Sequence, residues 1–448
     1  MTESFPAARK FVTAKSTIIV LGILGVATLY LYRVTVHSKG VADITWFLKL
    51  VAVQIVIYLA VAWLSLRTSD SRSLLVLGLI FAALFRLSII FFPPYLSDDI
   101  YRYIWDGRVQ AAGINPYRYI PAEDSLAQLR DDKIYPYINR RDTAHTIYPP
   151  VAEAAFLVIT RFSESVTWMK VAMVGFEAVA VWAIIQLLVS FGFARQRVLI
   201  YAWHPLVVWE FAGSGHIDAL AIAFIALTLL ARRKNKETAT GLLLACATCV
   251  KLFPVVLLPA VYKRWSWKMP VAFVAAVVIA YLPYLGVGPM KALGSLPFYA
   301  TERGLLTGEQ YFLLALARQV FHVNVPTVAY FIFVIVVLGA LSLWMMRERS
   351  DDTQYLRNGL LIASVFLLLL APHFSWYFTW LIPFLCFIPS IPFFYLTLTN
   401  FILYLTWLGD APNRVLVLKA LIFVPFLILL LLQSSVFRLL SRWRTRHG

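Results

Sequence analysis

The sequence predicts an all-α fold, a polytopic bundle of membrane helices forming a single domain over 1–448. Three observations predict it. Hydrophobic residues make up 61% of the chain and charged residues only 14%, where a soluble domain carries about 25% charged residues. Mean hydropathy is +0.76. Apolar runs recur along the chain, at 16–32, 45–66, 74–92, 166–191, 198–211, 217–231, 269–285, 325–346, 360–371, 376–388, 391–408 and 415–439. At about 20 residues per span these runs give about twelve crossings. A multi-domain soluble protein, a disordered tail and a disulfide scaffold are excluded.

Taken in order, the first run follows the basic residues Arg9, Lys10 and Lys15 with no small-residue cleavage site behind it. It reads as a retained anchor with a cytoplasmic N-terminus. The segment 240–262 is long enough to cross once, but Lys251 and Pro254 interrupt its middle. Proline removes a helix donor and kinks the chain. A re-entrant hairpin turning at 251–254 keeps the basic clusters 232–236 and 263–268 on one side, as the positive-inside tendency requires. The same choice places 67–72, 195–197, 347–349 and the tail 438–447 inside, with both termini cytoplasmic. Much of the net charge of +17 is thereby assigned to orientation, and nothing in it points to nucleic acid. The three cysteines lie in apolar runs. Cys246 and Cys249 form a C-x-x-C pair without a second ligand pair, so packing is expected there and not zinc.

The extracytoplasmic side keeps a first large loop at 93–150, a second at 286–310, a short turn at 213–218 and a span end at 371–376. Loops on a rigid scaffold are where chemistry is sought. In the first, Ser97 caps a helix whose first turn holds Asp98 and Asp99, and Tyr101, Ile104, Trp105 and Val109 share one face at helical spacing. An amphipathic helix lying on the membrane surface is expected. Asp98 and Asp99 also suit a helix dipole, but two acids just beyond a span end sit where a lipid-borne substrate is met. Arg102 is spaced to pair with either. Gly113, Asn115, Pro116 and Tyr117 make a turn. His145, Tyr148, Pro149 and Pro150 lead into the next helix.

Ionisable residues at membrane depth are expensive and mark function or a satisfied pair. His204, Glu210, His216 and Asp218 cluster around the 213–218 turn, where Asp218 also suits a helix's first turn. Lys251, in the middle of an apolar run, must snorkel, pair or meet an anion, and at a hairpin tip a phosphate is a natural partner. His373 stands at a span end beside Trp376 and Tyr377; an aromatic belt accounts for the two rings but not for the histidine.

At these residues the chain resembles the GT-C superfamily of integral-membrane glycosyltransferases, and within it the bacterial polyprenyl-phosphate-mannose-dependent mannosyltransferases. The matching pieces are 97–108, 115–117, 148–150, Pro-Leu-x5-Ala-Gly-x-Gly-His-x-Asp from Pro205 to Asp218, Lys-Leu-Phe-Pro-x4-Pro from Lys251 to Pro259, and 373–383. They run through most of the chain in family order. The resemblance implies a GT-C-like transmembrane domain and a catalytic base at Asp98 or Asp99. Cations stabilise charge developing on a departing phosphate, which makes Arg102, Lys251 and His373 the donor- and phosphate-binding candidates, with Arg108, Tyr148, His216, Asp218, Trp376 and Tyr377 as substrate-cavity candidates. In many relatives the acidic motif follows the first span; here it follows the third.

The implied reaction moves a hexose, mannose by resemblance, from a polyprenyl phosphate to a lipid or glycan acceptor with inversion. A prenyl phosphate leaves without a general acid, so one carboxylate suffices, unlike the carboxylate pair of most glycosidases. No nucleotide-binding Gly-rich loop is needed or present, no metal ligand set is legible, and the adjacent acids would admit a divalent ion. The implied location is the inner membrane, among its lipids, with the active site extracytoplasmic. A lipid-linked-sugar flippase or transporter and a polysaccharide ligase are the alternatives. No internal repeat supports a transporter, and a ligase would rely mainly on Arg and His.

Overall fold

The computed structural model describes residues 14–37, 43–294, 307–308, 311–347, 353–409 and 413–447. The basic stretch at 1–13 and most of the predicted second loop beyond 294 lie outside these residues. The described residues form helices without a strand. They comprise α1 (Ala14–Val36), α2 (Ile44–Arg67), α3 (Arg72–Ile89), α4 (Asp99–Ala111), α5 (Pro150–Thr160), α6 (Val166–Ser190), α7 (Asp218–Arg233), α8 (Glu237–Val250), α9 (Lys268–Tyr281), α10 (Thr327–Arg347), α11 (Gln354–Leu370), α12 (Ile391–Thr399) and α13 (Arg414–His447), joined by short helical turns. Side chains start several of them as expected of caps: Asp43 accepts from Trp46 N at 3.2 Å, Ser71 from Leu74 N at 3.3 Å and Ser165 from Trp168 N at 3.1 Å.

Among the described residues, eight helical stretches are long and apolar enough to cross a membrane. The remaining predicted crossings are shorter pieces. The run at 198–211 breaks into Leu199–Ala202, Pro205–Val208 and a π-helical turn, Trp209–Gly213. Every residue from 198 to 223 is buried. A broken helix survives at membrane depth only where protein re-satisfies its backbone. Here Tyr58 Oη donates to Ile200 O at 2.8 Å and Leu206 N donates to His204 Nδ1 at 3.2 Å, while Trp203 Nε1 docks the segment on α3 by donating to Gly78 O at 2.7 Å. The segment sits at the centre of the bundle, with the long helices around it turning apolar faces outward.

Contacts between turns gather the basic clusters at one end. Asp70 pairs with Arg195 at 2.7 Å, Arg233 donates to Ser190 O at 2.8 Å, and Ser266 donates to Glu237 at 2.7 Å. The last contact brings together the two ends of the segment that holds Lys251. From that end α8 runs to Val250, Lys251 adopts an extended conformation (φ −144°, ψ 138°), and the chain turns back through Phe253–Leu257. This is the hairpin geometry expected from Lys251 and Pro254.

The expected surface helix after α3 is instead an interior one. In α4, Ile100, Arg102, Tyr103, Ile104, Trp105, Asp106, Gly107 and Val109 are all buried. The apolar face read from the sequence packs inward, and the polar face is covered as well, because Arg102 and Asp106 neutralise one another on it. Gly107 allows the close approach of α5: a Cβ there would lie 2.6 Å from Phe156 O and 2.4 Å from Thr160 Oγ1. The loop after α4 folds over it through two short 3-10 turns, Asp124–Leu129 and Tyr135–Tyr137.

Candidate active site

At the end of the bundle opposite the basic turns lies a cavity of about 640 Å³, within the usual range for small-molecule sites. Asp98, Asp99, Arg102, His145, Tyr148, Lys251, Trp376 and Tyr377 line it, together with Tyr101, Tyr137, Asn139, Arg140, Phe374 and Trp407. Segments distant in sequence thus meet around one space.

The acids are placed by the start of α4. The helix begins at Asp99, one residue later than the capping pattern suggests, and Ser97 Oγ accepts from Asp99 N at 3.2 Å. Lys170, buried on α6, donates to Phe92 O at 2.8 Å and Pro93 O at 3.3 Å and so closes the end of α3. The two carboxylates do not cap the helix. Both accept from the amide of Asn139, at 2.9 Å for Asp98 and 2.7 Å for Asp99. Burial, and next the charge of Asp98, pushes the Asp99 carboxyl above the usual carboxylate value; Lys251, the Asn139 hydrogen bond and Arg140 oppose that rise. Burial likewise holds the His145 imidazole below its ordinary value.

Arg102 pairs with neither Asp98 nor Asp99. Its Nε donates to Asp106 at 2.8 Å, an i,i+4 pair on one helix face, and a terminal nitrogen donates to Ala144 O at 3.0 Å. It therefore ties α4 to the cavity wall at 144–148. Glu153 extends the same buried network, accepting from Thr146 at 2.6 Å and from Gln110 at 2.9 Å. Arg108 points elsewhere, to Asp131 at 2.7 Å and Glu164 at 2.8 Å, and is not among the cavity residues.

Elsewhere in the lining, Lys251 Nζ lies 2.7 Å from Asp218 Oδ2 and 4.8 Å from the centre of the Tyr377 ring. Asp218 also accepts from Trp380 Nε1 at 3.1 Å. Asp218 and His216 do not line the cavity; they sit beneath it. His216 packs its ring 4.2 Å from that of Trp376 and lies 3.6 Å from Glu210, whose other oxygen accepts from Tyr404 at 2.5 Å. Trp376 stacks in turn on Phe374 at 4.3 Å. Gly215 (φ +78°) lets this turn press on the residue after the acids, since a Cβ there would meet Ile100 Cδ1 at 2.4 Å. His373 is not a lining residue; Phe374 takes that position after Ala371 ends α11 in the left-handed conformation (φ 41°). His204 is built into the core, its ring accepting from Leu206 N at 3.2 Å and contacting Thr397 at 3.2 Å.

Sequence reasoning missed Tyr137, Asn139, Arg140, Phe374 and Trp407. Asn139 stands among ordinary loop polar residues, and only the fold carries it to Asp98 and Asp99. Among the described residues, no three His, Cys, Asp or Glu side chains are gathered where a metal ion could be held. The arrangement offers a carboxylate able to take a proton, a cation in the same cavity, and aromatic rings suited to a sugar or a lipid-linked group.

Residues 11–267 match the family described as alpha-(1->6)-mannopyranosyltransferase, N-terminal domain. The alpha-(1->6)-mannopyranosyltransferase A of Mycobacterium tuberculosis is 23% identical over 322 residues, covering 64% of this chain and 60% of its own length. Its namesake in Corynebacterium glutamicum is 23% identical over 236 residues, covering 50% of this chain and 47% of its own. The chain thus spans less than two thirds of either relative's length. No solved structure matches.

Proposed function

The chain belongs to the alpha-(1->6)-mannopyranosyltransferase family, and from that premise we propose that it is a membrane mannosyltransferase that takes mannose from a polyprenyl phosphate and joins it to an extracytoplasmic glycan or lipid acceptor. The observation that carries the reading is the cavity itself, where the acid pair and Lys251 line one space together with aromatic rings.

In the proposed reaction the acceptor hydroxyl oxygen attacks the anomeric carbon as the bond from that carbon to the phosphate oxygen breaks. The hydroxyl proton passes to Asp99, and prenyl phosphate leaves carrying the electron pair. Asp99 is preferred to Asp98 because it sits deeper in the site, less exposed, where burial raises its carboxyl toward a base's working range. Asp98, more exposed and tied to the same Asn139, keeps Asp99 raised. Lys251 offsets charge growing on the departing phosphate, while Arg102 holds the wall through Ala144. A single displacement inverts the anomeric carbon, so an alpha product of the kind named for the relatives calls for a β-linked donor. The lipid tail of such a donor would lie against the bundle's apolar exterior.

The test is transfer of radiolabelled mannose from polyprenyl phosphate to a manno-oligosaccharide by the purified full chain in detergent. The reading expects a labelled oligosaccharide of inverted configuration, lost in Asp99→Asn. Absence of transfer by the wild-type chain, with the donor moved across a vesicle unaltered, would favour the transporter alternative instead.

A further inference from the structure

The cavity has two aromatic walls, and the proposed reaction employs only the one around Lys251. Elsewhere in the lining, next to the acids in the chain, Tyr101 stacks on Tyr137 with ring centres 5.0 Å apart and planes 26° apart. Both line the cavity, and Tyr137 remains 54% exposed. A large ring fixed in place yet left open is not core packing. Its position in the polar loop 112–149 also separates it from the membrane-spanning helices, so an aromatic belt does not account for it.

We propose that the Tyr101–Tyr137 stack is the seat of the acceptor, holding a neutral pyranose ring beside the acid pair. This rests on the transferase reading above and adds the acceptor's place to it.

Three features support it. The first is local geometry. Ile138 is extended (φ −68°, ψ 119°) and buried to 4% exposure, which anchors the segment in the core. Alternate residues of an extended segment face the same way, so Tyr137 and Asn139 are delivered together to the cavity. One short stretch therefore supplies the ring and the amide that holds both carboxylates. The second feature is charge. Asp98 acts on Tyr101 through its charge, while the cations Lys251 and Arg140 act on Asp99. A carboxylate beside the stack disfavours a phosphate there, whereas a neutral ring meets no such cost. The third is ligand chemistry. The face of an aromatic ring is electron-rich, and one face of a pyranose presents C–H groups with partial positive charge. The two fit, and the sugar hydroxyls are left at the edge for Asp98, Asp99 and Asn139.

The test uses the purified full chain, with a soluble manno-oligosaccharide as the probe. Calorimetric binding is measured without donor, and transfer kinetics are measured with it. Tyr137→Ala is expected to weaken oligosaccharide binding and raise the acceptor KM by about three- to tenfold, with the donor KM held, and Tyr137→Trp is expected to restore both. An unchanged acceptor KM in Tyr137→Ala, or a donor KM that rises in its place, overturns the proposal while the transferase reading stands. Oligosaccharide binding that depends on Tyr137 in a chain that transfers no sugar supports the seat and overturns the transferase reading.

Discussion

Lys251 and Asp218 form an ion pair of 2.7 Å in which the carboxylate is fully buried and the lysine still borders the cavity. The pair solves two problems at once. It neutralises a charge at the tip of an apolar hairpin, and it leaves a cation beside the space where a phosphate would sit. Removing one member of a buried pair typically destabilises by about 3–5 kcal/mol. Asp218→Asn is therefore expected to lower thermal stability in detergent. The double variant with Lys251→Met should recover most of that loss without recovering donor use. Lys251→Met alone should lower kcat/KM for the prenyl-phosphate donor by about 10- to 100-fold, the value of a hydrogen bond to a charged group. Unchanged donor kinetics would reduce Lys251 to a structural partner of Asp218.

The two acids are predicted to be unequal. Asp99→Asn should reduce kcat by about 10²–10⁴-fold, the usual contribution of a general base, with expression and folding retained. Asp98→Asn should reduce it less. Single-turnover transfer with both variants decides the point, and the reverse ranking moves the base to Asp98.

The pH profile follows from the same group. Asp99 accepts a proton only when ionised, and its carboxyl is held above the usual carboxylate value. Activity should therefore fall as pH drops, along an acid limb above the ordinary carboxylate range. Asp98→Asn removes a like charge and should move the limb to lower pH. Lys251→Met removes an opposite charge, and Asn139→Leu removes a hydrogen bond to the ionised form; each should move it to higher pH. Profiles of kcat/KM that do not shift in these directions would show that the limb belongs to another group.

Gly107 tests the packing that places the acids. In Gly107→Ala the new methyl meets the backbone oxygen of Phe156 as well as Thr160, and backbone cannot step aside as a side-chain tip does. Overpacking of this kind costs about 1–3 kcal/mol, and because α4 carries Asp99 in its first turn, activity should fall with it. Gly175→Ala is the matched control, since nothing lies within 4 Å of its Cβ position. Melting in detergent should separate the two, and equal melting points would show that α4 and α5 have room to part.

The sequence by itself determined the class of molecule, because apolar run length and charge placement are local properties that a bilayer reads directly. It determined the break at Lys251 as well, since proline and a charge in an apolar run act on their own neighbours. It marked Asp98, Asp99, Lys251, Trp376 and Tyr377 as candidates, and the fold brings all five to one cavity. The tertiary structure alone decided who pairs with whom. Arg102 was spaced to reach Asp98 or Asp99, yet Asp106 takes it, because both lie on a face of α4 that packing buries and an enclosed guanidinium requires a partner of its own. Helical spacing located the apolar face of α4 but not the loop that covers the other face. Asn139 and Tyr137 carry no signal in the chain; what they do depends on a loop some forty residues away along the chain folding back over α4. Periodicity and composition record how each segment meets its solvent, whereas a site is a meeting of segments, and its contacts are written only in three dimensions.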